Sequence, residues 1–156
     1  MSSIESVEVI AGISPSGEAI VERVGVTPTQ QGLQVTSSPL FAGLAKLDVI
    51  TVDSKKKFSI VQHGGNLNIR VVSRSNANQL LEIVAKGVEE LGGEISNQSE
   101  RFFTITVHVG CEFRNIEKVL EHMMSQFPET SWAYTNVFDS ETGEPLNWWG
   151  NILSEQ

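Results

Sequence analysis

Hydrophobic and polar positions alternate with a period of two through most of the first 65 residues, and the period then switches twice to a helical one. Val7 and Val9 lie on one side of a strand with Glu8 and Ile10 on the other. Gly12 to Gly17, carrying Pro15, is a turn. Glu18 to Val26 form a second strand, the PTQQG sequence a loop, and Leu33 to Thr36 a short third strand. The segment SSPLFAGLA is apolar but too short, and too broken by Pro39 and Gly43, to form a helix. Leu47 to Val52 and Phe58 to Gln62 read as a hairpin around the charged tip Asp53 to Lys57, and His63-Gly64-Gly65 interrupts the pattern.

Leu67, Ile69 and Val71 then alternate with Asn68 and Arg70, a half-buried strand. Ala77, Leu81, Val84, Val88 and Leu91 recur at three- and four-residue steps, so a helix follows. Asn76 and Gln79 offer a capping box at its start, and Gly92-Gly93 marks its end. Ile95 lies in a short strand, and Asn97 to Glu100 form a turn. Phe103, Ile105, Val107 and Val109 share one face of a strong strand, with Phe102, Thr104, Thr106 and His108 on the other. A second helix, capped by Asn115, carries the stripe Ile116, Val119, Leu120, Met123 and Phe127 and stops at Pro128. Ser131 to Phe138 completes the series.

Strand, helix, strand, strand, helix, strand is the order of a split βαβ, or ferredoxin-like, unit. The fold class is therefore α+β. A β-rich segment over residues 1–65 consists of hairpins, with a barrel-like arrangement as one option. A ferredoxin-like βαββαβ unit over 66–140 and a tail over 141–156 follow, expected in one compact structural domain. Right-handed crossovers put both helices on one face of the second sheet, which leaves the other face to the N-terminal segment, a partner or water.

Charge separates the two parts. Residues 1–65 carry six acids and five bases, whereas residues 66–156 carry thirteen acids and six bases, so nearly all of the net charge of -8 lies in the second part. Phosphate binding needs a basic face, which argues against nucleic acid. A cationic protein partner is electrostatically favoured, although acidity also serves solubility. One cysteine, Cys111, allows no intramolecular disulfide. No apolar run approaches membrane-spanning length, and MSSIESVEVIAG does not read as a secretory leader, so a cytoplasmic location is expected.

Chemistry-bearing constellations are sparse. His63, His108 and His122 stand apart from one another, and no metal or cofactor is expected. His108 with Cys111, and the turn acids around Asp139, are the residues an enzyme would use, but no motif joins them, and the chain reads as a binding protein and not an enzyme. Phe102 and Phe103, on the strand where RNA-binding units place stacking aromatics, read as core residues because the accompanying glycines are absent. The partner-contact candidates are the acids Glu117, Glu121, Asp139, Glu141 and Glu144, with Trp148 and Trp149 as apolar anchors.

Pro39-Leu40-Phe41, Leu47-Asp48-Val49-Ile50 and Gly65-Asn66-Leu67-Asn68-Ile69-Arg70-Val71 resemble three segments of a bacterial domain-of-unknown-function family, number forty-two sixty-five. The family has Pro-Phe-Phe, Gly-Asp-Val-Val and Gly-His-x-Thr-Leu-Arg-Val there, so Leu47 stands in place of a glycine and Asn66 in place of the histidine. The resemblance implies the ferredoxin-like half. Small acidic α+β proteins of this kind also resemble immunity proteins of contact-dependent growth inhibition and polymorphic toxin systems. That second resemblance implies an antitoxin that binds and neutralises a cognate toxin, a basic nuclease domain, by protein–protein contact. The alternative is a regulatory ferredoxin-like domain that senses a small molecule.

Overall fold

The computed structural model describes residues 5–74, 77–139 and 142–154. Strands β1 (Glu5–Ile13), β2 (Ala19–Pro28), β3 (Leu33–Val35), β4 (Val49–Val52) and β5 (Phe58–Gln62) form an antiparallel sheet in sequential order. Register shifts between Ile10 and Gly12, where β1 bulges. The Ile10 N–H reaches across to the Lys56 carbonyl at 2.8 Å, and Lys56 Nζ pairs with Glu8. The sheet curls, yet among the described residues its edge strands β1 and β5 do not pair into a closed barrel. Val9, Val24, Val26, Val35, Ala42, Leu44 and Ile50 make its core.

Strands β6 (Asn66–Ser73), β7 (Glu94–Ser96), β8 (Phe102–His108) and β9 (Thr130–Tyr134) form a second antiparallel sheet in the order β7-β8-β6-β9. Helices α1 (Ala77–Glu90) and α2 (Phe113–Gln126) connect its strands, giving the ferredoxin-like topology. Leu67, Ile69, Val71, Phe103, Ile105 and Val107 form a core with Leu80, Val84, Val88, Ile116, Leu120 and Met123 of the two helices. A short helix, α3 (Trp149–Ser154), follows. No helix among the described residues is long and apolar enough to cross a membrane.

Several local expectations are corrected. The fully buried stripe of α1 runs through Leu80, with Leu81 only partly covered. Glu112 precedes α2 at φ 72° without a side-chain cap, and Asn115 lies inside the first turn, where its Nδ2 donates to the Cys111 carbonyl at 2.8 Å. The proposed cap Asn76 falls outside the described residues. The last strand ends at Tyr134 because a side chain takes over its pairing. Asn136 Oδ1 accepts the Asn68 N–H at 3.0 Å, and its Nδ2 donates to the Asn66 carbonyl at 2.9 Å. Phe138 pairs only in an isolated bridge with Pro145.

The face of the second sheet away from the helices meets the segment between β3 and β4. Asn68 is fully buried there, and its Nδ2 donates to the carbonyls of Pro39 (2.7 Å) and Leu44 (2.9 Å). Ser38 and Thr106 share a buried hydroxyl contact of 2.6 Å, and Asn97 Nδ2 donates to the Ser38 carbonyl. Buried polar groups need such partners, and here they tie an irregular loop to a strand face by specific bonds.

Candidate functional site

That loop presents Phe41 to the exterior. Glu22, on β2, accepts three successive backbone N–H groups: Leu40 at 2.7 Å, Phe41 at 3.1 Å and Ala42 at 2.7 Å. A carboxylate held by several amides makes charge-assisted bonds, which are stronger than neutral ones. On the other side Arg70 donates to the Leu40 carbonyl, and its guanidinium lies 5.3 Å from the centre of the Phe41 ring. Glu22 therefore fixes the backbone that carries the ring and Arg70 lies against the ring itself, which remains 52% exposed.

Phe41 lines two adjoining hollows. One, of about 380 Å³, lies between Ile10 and Gly12 of β1, Phe58 and Ile60 of β5, and Phe138 and Leu146. The other, of about 300 Å³, is walled by Ala11, Ile20 and Arg70. Ile20, Phe138 and Leu146 are each more than 40% exposed, and Phe41 joins Phe138 and Leu146 in the first hollow and Ile20 in the second. Scattered exposed hydrophobics are ordinary, whereas adjoining ones make a candidate interaction surface.

Phe138 also borders a third hollow, of about 270 Å³, lined by Phe113, Glu117, Tyr134, Pro145 and Trp149. Phe113 meets Tyr134 at 5.5 Å and Trp149 at 5.3 Å, in edge-to-face arrangements. Burial pushes the Tyr134 hydroxyl pKa up, and the nearby Glu117 and Cys111 push it further, so the phenol keeps its proton.

Of the contact residues read from the sequence, the structure brings Glu117 and Trp149 into this hollow. Glu121 is exposed one turn further along α2, and Glu144 is exposed in the turn after Asp139. Asp139 is half-buried and caps that turn by accepting the Thr142 N–H. Glu141 lies outside the described residues. Trp148 points elsewhere: it stacks on His63 at 4.9 Å, and its indole N–H donates to the Asn136 carbonyl at 2.8 Å. Both tryptophans pack against the core of the second sheet.

Among the remaining described titratable residues, Asp48 and His63 act on each other electrostatically. Asp48 is buried, and its carboxylate accepts the N–H groups of Ala45 (2.9 Å) and Gly64 (2.8 Å). His108 accepts the Gly110 N–H through Nδ1, while Cys111 Sγ contacts the Glu112 carbonyl at 3.5 Å. Burial pushes the Cys111 thiol up, away from the reactive thiolate. Among the described residues no group of three or more His, Cys, Asp or Glu side chains is placed to hold a metal ion. Asn66, where the related family has histidine, donates to the Lys46 carbonyl at 2.8 Å beside the Lys46–Glu94 ion pair.

The groove itself was not legible in the sequence. Phe41 reads as one apolar residue in a loop, and its clamp, Glu22, is some 20 residues away. The only signal was the Pro39-Leu40-Phe41 segment.

The comparisons agree with this fold. A solved structure titled "Novel crystal structure of a hypothetical protein from Neisseria gonorrhoeae" is similar over 85% of this chain and 94% of its own, with a TM-score of 0.68 and 16% identity. At that identity the likeness concerns the fold alone. No curated protein matches the sequence. Residues 22–130 match the family described as "Domain of unknown function (DUF4265)", and they include the Glu22 clamp, Phe41, the second sheet up to Thr130 and both of its helices. The chain belongs to that family.

Proposed function

We propose that this protein is an immunity-type binding protein that captures a basic protein domain, a toxin nuclease, and neutralises it by contact. The observation that carries this reading is the groove around Phe41, where an exposed aromatic ring has its backbone fixed by Glu22, rests against Arg70 and is flanked by Ile20, Phe138 and Leu146. Ordering the ring in advance lowers the entropic cost of binding, and rigid aromatic anchors commonly dominate interface energies. The acidic excess of residues 66–156 supplies attraction to a cationic partner, chiefly through the rate of encounter.

The test is to mix the purified protein with the basic toxin domain encoded beside its gene and to follow binding by titration calorimetry. A stable complex that also suppresses the toxin's activity supports the reading. Absence of any complex contradicts it. A second reading, a small-molecule sensor, is favoured by the aromatic hollow, and a thermal shift caused by a small ligand alone would support it.

A further inference from the structure

The hollow beside Phe138 combines features that an apolar ligand does not require. Three rings, Phe113, Tyr134 and Trp149, border one opening, with interplanar angles of 85° and 69° between Phe113 and the other two. Glu117 lies four residues after Phe113 on α2, so both side chains leave the same face of the helix. Its carboxylate lines the same opening, with Pro145 and Phe138 closing the sides. Aromatic rings present negative faces, and a carboxylate adds a full charge where neighbouring rings exclude much of the water.

We propose that this hollow binds an organic cation, an ammonium or guanidinium group. The cation would rest against the rings while Glu117 neutralises it, and both contacts strengthen as the group is desolvated. Two features fit this assignment. Tyr134 and Glu117 lie close enough to interact, which sets the carboxylate beside an aromatic ring at the opening. The walls are otherwise apolar, which suits a methylated or alkyl-substituted cation better than a hydrated metal ion. The two hollows share Phe138 as a border, but the cation is read through Glu117 and Trp149, which lie outside the groove around Phe41, so failure here would leave the protein-binding reading intact.

The experiment uses the full chain and follows the Trp149 indole N–H by NMR during titration with choline, with methylguanidinium, and with 3,3-dimethylbutanol, the neutral analogue of choline. Blocked tripeptides centred on arginine or lysine form a further arm. At least one cation is expected to shift the Trp149 signal saturably and to bind about tenfold more tightly than the neutral analogue. Glu117→Gln, which keeps the side-chain shape, should weaken cation binding by about the same factor. If the peptides bind more tightly than the small cations, the cation is a side chain of a protein partner. If the small cations bind at least as well, it is a free ligand. Binding of the neutral analogue as tight as that of choline, unchanged affinity in Glu117→Gln, or no response to any cation would overturn the assignment.

Discussion

The Glu22 carboxylate accepts the backbone N–H of Phe41, together with those of the residues on either side of it, and so fixes the turn on which an exposed ring stands. Replacing Glu22 with alanine removes the acceptor of three amides. The expected cost is about 1–3 kcal/mol, read from urea unfolding, with faster hydrogen exchange at Leu40, Phe41 and Ala42. Unchanged exchange at those amides would show that the carboxylate does not hold the turn.

Leu47 occupies φ 78°, a left-handed conformation that costs a side-chain-bearing residue about 1–2 kcal/mol, and it stands where the related family has glycine. It is 43% exposed, so truncation also gives up the covered part of the side chain. With the strain relieved but burial lost and chain entropy gained, Leu47→Gly is expected to change stability by no more than about 1 kcal/mol. Gly64 behaves differently. A Cβ there would fall 2.6 Å from the Leu47 carbonyl carbon, and the backbone cannot yield as a flexible side chain can. Gly64→Ala should cost about 1–3 kcal/mol in the same unfolding assay.

Asn68 ties the loop that carries Phe41 to the second sheet, by donating to two buried carbonyls. Asn68→Ala strips both of their partner, and each orphaned group costs about 1–3 kcal/mol. A loss of roughly 3 kcal/mol in urea unfolding is expected, with the amides of residues 38–46 exchanging faster than those of α1.

Burial lowers the His63 pKa below its ordinary 6.5, against an opposing pull from the Asp48 carboxylate. The unfolded chain takes up this proton first as pH falls. The contribution of His63 to stability is thus full above about 6.5 and declines as pH drops through that value toward the lower folded pKa. Asp48 acts with the opposite sign. Burial raises its carboxyl pKa above 3.8 despite the Gly64 and Ala45 N–H groups and His63. The stability it contributes is therefore full below 3.8 and is lost as pH rises through the folded value. The urea midpoint should fall from about pH 7 to about pH 5.5 because of His63. His63→Phe, which retains a ring against Trp148, should flatten that decline, and an equally steep decline in the variant would assign it to other groups.

The order of elements was legible because Leu67, Ile69, Val71 and the α2 stripe each bury one face against one core, and periodicity reports such burial directly. Phase is less robust, since Leu80 and Leu81 are both leucine and only packing shows which one faces inward. The early end of β9 was hidden because a side-chain amide, that of Asn136, does the work of backbone there. The groove was hidden for a related reason. Exposed Phe41 and buried Phe103 have the same hydrophobicity, and contacts from Glu22 and Arg70, distant in sequence, set the difference.

The most direct test of the binding surface is affinity capture from the protein's own source cells, with wild type and a Phe41→Ser/Leu146→Ser variant used side by side and checked for equal folding by circular dichroism. Wild type is expected to retain one basic protein, released as salt rises, and the variant to lose it; the interaction should then be reproduced with the purified pair. Equal retention of that protein by the variant, or no basic protein retained by wild type, would contradict the account.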